Sequence, residues 1–189
     1  HVFRGENLTE KNTRFCINSV SLDFVRQKGQ FCYFAGGCFW GLDYFLNPLE
    51  GVLSTTCGYS GGNTKKPSYE EVCYEQTGHL EVVQVEYNPN QTNFETLARY
   101  FFEIHDPNIT QYDEDTTDKQ QKSAIFYVNE EQKKIAEHLI GVLKKNGHDA
   151  QTSLIEFAGF HVAEDYHQDY YKRQGKEPSC HVYTPRFSV

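Results

Sequence analysis

The apolar and polar positions divide most of the chain into short elements. Residues 31–34 form an apolar run of strand length, and Gly36 and Gly37 turn the chain into a helix. That helix begins at Cys38, reaches about Phe45 and stops near Pro48. Residues 52–57 read as a strand, residues 58–67 as a long flexible loop, and residues 69–73 as a helical turn on its far side. The clearest strand is 78–87, with Glu81, Val83, Val85 and Tyr87 on one face and Leu80, Val82, Gln84 and Glu86 on the other. Thr92-Asn-Phe-Glu95 has the form of a capping box. The helix after it places Phe94, Leu97, Ala98, Phe101 and Phe102 on one side and ends before Pro107. Residues 105–118 read as a solvated acidic loop. A strand at 123–128 follows, and Asn129 caps a helix over 130–145 that turns Ile135, Leu139, Val142 and Leu143 inward and stops at Gly147. Residues 152–157 give a further strand, the third counting the clearest one as first, and residues 163–173 a short aromatic helix. The tail from Gly175 has no period and reads as a loop draped over the site, carrying Cys180. The pattern predicts an α+β domain with a mixed β-sheet and flanking helices.

Residues 1–30 do not fit that rhythm. His1-Val-Phe3 leads into a polar loop, then Arg14-Phe-Cys-Ile-Asn-Ser19, then an alternating stretch with Val20, Leu22 and Phe24 on one side. A linker at 27–30 separates this short strand-and-loop extension from a domain spanning 31–189.

Composition narrows the partners. The 189 residues suffice for one domain with a real core, and aromatics at 15% supply its volume. A net charge of −8 with no basic stripe excludes nucleic acid as the expected partner. No apolar run approaches a membrane span. Six cysteines are too few and too irregular for a disulfide scaffold, and no Cys-x-x-Cys pair points to zinc, so no metal is expected. The pattern fits a cytoplasmic enzyme with selected redox thiols, with periplasm or export left open. No signal-peptide pattern and no initiator methionine open the sequence, which is the expectation for a processed form or a piece of a longer gene product.

The chemistry concentrates at residues 31–41. Cys38 stands where strand becomes helix, and a helix N-terminus carries unpaired N–H groups and about half a positive charge. That field is expected to make Cys38 a thiolate at neutral pH. Phe39 and Trp40, the single tryptophan, follow at once and supply an apolar wall for a small substrate group. Glu81 is an acid at the end of a core-facing row, and burial disfavours its carboxylate, which would make it a proton donor. A structural thiol at Cys38 and a Glu81 that clears the rim into water are the plain alternatives.

The string Gly37-Cys-Phe-Trp-Gly41 resembles the signature of the A-type peptide methionine sulfoxide reductases. Gly58-Tyr-Ser-Gly-Gly62, Pro67-Ser-Tyr-Glu-Glu-Val72, Thr77-Gly-His-Leu-Glu81, His105-Asp-Pro107 and Ala163-Glu-Asp-Tyr-His-Gln168 agree in order. The resemblance runs from about Tyr33 to Cys180. It implies a ferredoxin-like sandwich and S-epimer sulfoxide reduction. By it, Cys38 is the nucleophile, Phe39 and Trp40 hold the sulfoxide methyl group, Glu81 protonates the oxygen and Tyr69 hydrogen-bonds it. Cys180 is the recycling cysteine in a mobile tail. Oxidised proteins or free methionine sulfoxide are the implied substrates, thioredoxin or another dithiol the reductant, and no bound cofactor is implied.

Residues 114–123 depart from the family pattern. A gapless match puts Thr116 at the family's aspartate and Gln121 at its second tyrosine, with Asp115, Asp118 and Tyr112 nearby. The extension in turn resembles the C-terminal end of the B-type reductases, with Cys16 at the catalytic cysteine and His1 at an active-site histidine. It reads as a B-domain remnant without activity of its own, with contact to the rest of a B domain as a further expectation. Two rivals stay open on sequence: a cysteine hydrolase, and a sulfoxide-binding module weakened by the altered loop.

Overall fold

The computed structural model describes residues 2–4, 13–15, 29–74, 77–108 and 120–187. Strands β1 (Val2–Arg4) and β2 (Thr13–Phe15) pair antiparallel as a two-stranded ribbon. His1, Cys16 and the strand expected at 20–24 lie outside the described residues, as does most of the acidic loop.

The domain is built on a six-stranded sheet in the order β7-β6-β3-β5-β4-β8. Its strands are β3 (Gln30–Gly36), β4 (Val52–Ser60), β5 (Leu80–Tyr87), β6 (Ser123–Tyr127), β7 (Ser153–Glu156) and β8 (His161–Val162). All neighbours run antiparallel except β6 and β7, so the sheet is mixed and the class is α+β. The helices are α1 (Phe39–Leu46), α2 (Tyr69–Tyr74), α3 (Phe94–Ile104), α4 (Glu130–Lys145) and α5 (Tyr170–Gln174).

The period of two along β3 and β5 decides the layering. Cys32 and Phe34, with Val83, Val85 and Tyr87, enter the main core beneath α1, α3 and α4. Phe34 stacks on Phe101 at 4.7 Å, and the α3 row Phe94, Leu97, Ala98, Phe101 and Phe102 is buried throughout. Tyr33, Ala35, Leu80 and Val82 face the other way, into a smaller cluster with Phe126 that Phe157 and Phe160 cover. Each fully buried Phe or Leu in these layers stabilises the fold by about 1.5–3 kcal/mol relative to exposure.

Four local expectations need correction. Gly58-Tyr-Ser60 is not loop: β4 continues through it, pairing Gly58 with Val82, Tyr59 with Glu81 and Ser60 with Leu80. Gly58 is glycine because the Phe160 ring and the His161 carbonyl occupy the space of a Cβ. The cap of α3 is Asn93, whose side chain accepts the Thr96 N–H at 2.9 Å, one residue after the expected Thr92. His105 is not solvated; it is buried, bonded to the Phe101 carbonyl at 2.6 Å and to the Ser123 hydroxyl at 2.8 Å. The helix expected at 163–173 is a single tight turn at Asp165–His167 and then α5, broken at Asp169, whose φ of 49° is left-handed. Among the described residues no helix is long and apolar enough to cross a membrane.

Candidate active site

Strand β3 ends in the centre of the sheet, and the turn at Gly37 (φ 90°) hands the chain to α1. Cys38 is the N-cap of α1, and its carbonyl accepts the Gly41 N–H at 3.2 Å. Glu81 lies beneath that start, only 1% exposed. Its Oε2 accepts the Phe39 N–H at 3.0 Å, so the carboxyl satisfies one of the helix's orphan donors. Gln120, equally buried, brackets the acid: its carbonyl accepts the Glu81 N–H at 2.9 Å, and its Nε2 lies 3.5 Å from Glu81 Oε1 and donates to Cys73 Sγ at 3.4 Å.

An aromatic wall closes one side. Phe39 is fully buried, with its ring 5.0 Å from His167, 6.0 Å from Tyr59 and 6.5 Å from Tyr69. Trp40 stacks on Tyr170 at 3.8 Å and donates its indole N–H to His167 Nδ1 at 3.0 Å. Glu164 ties the wall together, accepting the Tyr69 N–H and the Tyr59 hydroxyl, each at 2.9 Å. Burial foremost, then the Glu81 charge and a hydrogen bond with Cys73, push the Tyr69 hydroxyl far up, so it stays protonated beside Glu81 and Cys38.

The tail brings in Cys180. Thr184 donates its N–H to the Glu103 carbonyl at 2.6 Å, and Arg186 Nη1 donates to the Phe102 carbonyl at 2.7 Å. These bonds tie the tail to α3. A hydrogen bond from Cys38 first, then His181, draws the Cys180 thiol down although burial opposes it. The Cys38 thiol moves the other way, raised by the same bond, then by burial and the Glu81 charge, with only the Trp40 N–H opposing. The field of the helix start is therefore not the sole influence on the Cys38 thiol: the docked Cys180 and burial oppose it.

The fold thus gathers Cys38, Phe39, Trp40, Tyr69, Glu81 and Cys180 into one site. Cys32 and Cys57 are fully buried, with thiols pushed well up by burial. Thr116 and its acidic neighbours lie outside the described residues, while Gln121 is half-buried after Gln120. Gln120, Glu164, His167 and His181 were not singled out by sequence. Glu164 and His167 stand within the 163–168 motif, Gln120 precedes the altered Gln121, and His181 follows Cys180; position within those motifs was the one available signal. Among the described residues no group of three His, Cys, Asp or Glu side chains is arranged to hold a metal.

Two cysteines brought together at a helix start, beside a buried carboxyl, fit a thiol-based oxidoreductase. Comparison gives the family. A model of the peptide methionine sulfoxide reductases matches residues 30–188. The peptide methionine sulfoxide reductase MsrA of Sulfolobus acidocaldarius is 43% identical over 146 residues, covering 77% of this chain and 83% of that protein. Its counterpart in Ruthia magnifica is 39% identical, covering 81% and 92%. Among solved structures, reduced Mxr1 of Saccharomyces cerevisiae superposes with a TM-score of 0.71 at 29% identity, covering 86% of this chain and 96% of that one. Methionine sulfoxide reductase A of Corynebacterium diphtheriae gives 0.68 at 27%, covering 83% and 80%. Mxr1 has also been solved in complex with Trx2. The chain belongs to the peptide methionine sulfoxide reductase family, and it reduces methionine sulfoxide by thiol chemistry.

Proposed function

We propose that the protein is a peptide-methionine (S)-S-oxide reductase, acting on the S epimer of methionine sulfoxide free or in proteins, with Cys38 as nucleophile. Phe39 and Trp40 hold the methyl group, and the wall keeps water from competing for the sulfur. Tyr69 donates a hydrogen bond to the sulfoxide oxygen and Glu81 protonates it, stabilising charge where it develops. Cys38 sulfur attacks the activated sulfur, methionine leaves, and the oxygen stays on Cys38 as a sulfenic acid. Cys180 attacks that sulfur to give a disulfide and water, and a dithiol reductant restores both thiols. The observation that carries the reading is the 3.0 Å bond from the Phe39 N–H to Glu81, which fixes an acid one residue from Cys38.

Thioredoxin is the proposed reductant, supported by the complex of the structural neighbour Mxr1 with Trx2. Such a reductant fits a cytoplasmic protein. The chemistry calls for no bound cofactor. A single-turnover assay on a methyl sulfoxide, with and without dithiol, tests the whole reading: one methionine per chain without dithiol and many with it are expected. Binding without reduction would overturn it.

We read residues 1–30 as the remnant of a B-type domain plus linker, and 31–189 as the catalytic domain, with the remnant a point of contact for a B domain. The start of the family match at residue 30 supports the boundary, and the motifs around His1 and Cys16 support the origin. Cys16→Ser is expected to leave S-sulfoxide reduction unchanged.

A further inference from the structure

The glycines of the Cys38 motif make room for a histidine. His181 is buried, and its Nε2 lies 2.9 Å from the Gly36 carbonyl. A carbonyl only accepts, so Nε2 carries a proton and donates. Its Nδ1 then faces Cys180 Sγ at 3.1 Å as a lone pair toward a thiol, or as an N–H toward a thiolate. A Cβ on Gly41 would overlap His181 Nδ1 and lie 2.9 Å from Cys180 Sγ. A Cβ on Gly37, whose φ is left-handed, would lie 3.7 Å from the other edge of the ring. The motif that presents Cys38 therefore also forms the berth of the Cys180–His181 pair.

We propose that His181 is the catalytic base of the resolving step, taking the Cys180 proton so that Cys180 attacks the Cys38 sulfenic acid as a thiolate. The proposal rests on the reading of Cys180 as the resolving cysteine. Before the first half-reaction the Cys38 thiol donates to Cys180, and its proton passes to Cys180 as the Cys38 sulfur attacks the sulfoxide. Once Cys38 carries oxygen its S–H no longer donates, and of the two partners left to Cys180 the His181 Nδ1 at 3.1 Å is nearer than the Tyr171 hydroxyl at 3.9 Å. The Cys180 proton moves to Nδ1, the Cys180 sulfur forms a bond to Cys38 sulfur, and the Cys38 S–O bond breaks. The departing hydroxide becomes water, with the proton held on Nδ1 completing the balance. No outside oxidant or reductant enters. The titratable groups facing Cys180 are Cys38 from the start of α1, Tyr171 from α5 and His181 itself. His105, behind the His181 ring, is held down at about 3 by burial and adds no charge at neutral pH.

The test is a rapid-quench single turnover with stoichiometric methionine S-sulfoxide and no reductant. Methionine release and the Cys38–Cys180 disulfide are followed separately by mass spectrometry. His181→Gln and His181→Asn are expected to release methionine at the wild-type rate. Their disulfide is expected to close about 100-fold more slowly at pH 7, with a sulfenic acid trappable by dimedone. Closure should recover as the pH approaches about 8.5, where an unassisted thiol ionises. Wild-type closure rate and pH profile in both variants would overturn the proposal, as would loss of methionine release in both. Cys180→Ser in the same series separates the underlying reading. If that variant still recycles with thioredoxin, Cys180 is not the resolver and both fall; if it does not, the His181 result stands alone.

Discussion

Trp40 donates its indole N–H to Nδ1 of His167 at 3.0 Å, across 127 residues of sequence. An indole nitrogen only donates, so His167 must present a lone pair there and carry its proton on Nε2, on the side where Glu164 Oε2 lies 3.8 Å away. Protonating His167 breaks the bond, and burial, the leading influence, lowers the imidazole's pKa and keeps it neutral. His167→Phe keeps the ring and removes the acceptor. Losing one such bond costs about 1 kcal/mol, so KM for the sulfoxide should rise several-fold with a smaller change in kcat. The single tryptophan reports it directly, as a shift in emission. Unchanged emission and KM would show that the bond does not position Trp40.

Glu81→Gln keeps an acceptor for the Phe39 N–H and removes the proton. The fold should survive, since the amide oxygen can take the 3.0 Å bond. Turnover should fall by about 10²- to 10⁴-fold, the range of a general acid. Steady-state kinetics alongside a thermal melt check both halves.

Gly41→Ala separates propensity from packing. In an open helix the change would stabilise by about 1 kcal/mol. Here the added methyl group overlaps His181 and crowds Cys180. The expected result is slower disulfide closure and a lower Tm, with methionine release in a single turnover preserved. A raised Tm with normal closure would contradict the berth.

Much of this frame was legible in the chain. The two-residue alternation of β5 placed Glu81 on the core face, and the 3.6-residue rows of α3 and α4 placed Phe101 and Leu139 in the core. What was missed depends on partners distant in sequence. Tyr59 belongs to a strand because Glu81 pairs with it, against the glycine-rich look of its surroundings. His105 is buried because Phe101 and Ser123 satisfy both ring nitrogens. The Cys38 thiolate was inferred from the helix terminus alone. Cys180 docked on it is a second influence that opposes the terminal field, and nothing local to residues 31–41 announces it.

His105 also gives a pH signature. Its imidazole is held at about 3, below the ordinary 6.5, by burial first. As the pH falls below about 6.5 the unfolded chain takes up a proton that the folded chain refuses. Stability should therefore fall by about 1.4 kcal/mol per pH unit until about pH 3, and the contribution is complete above 6.5. Urea midpoints from pH 7 to pH 4 should drop more steeply in the wild type than in His105→Gln, whose amide has no proton to gain. Equal slopes would contradict the assignment.

The central claim is that Cys38 receives the sulfoxide oxygen. The direct measurement is methionine released from stoichiometric methionine S-sulfoxide, without reductant, by the wild type and by Cys38→Ser. One methionine per wild-type chain and none from the serine variant is the predicted result. Methionine released by Cys38→Ser would contradict it.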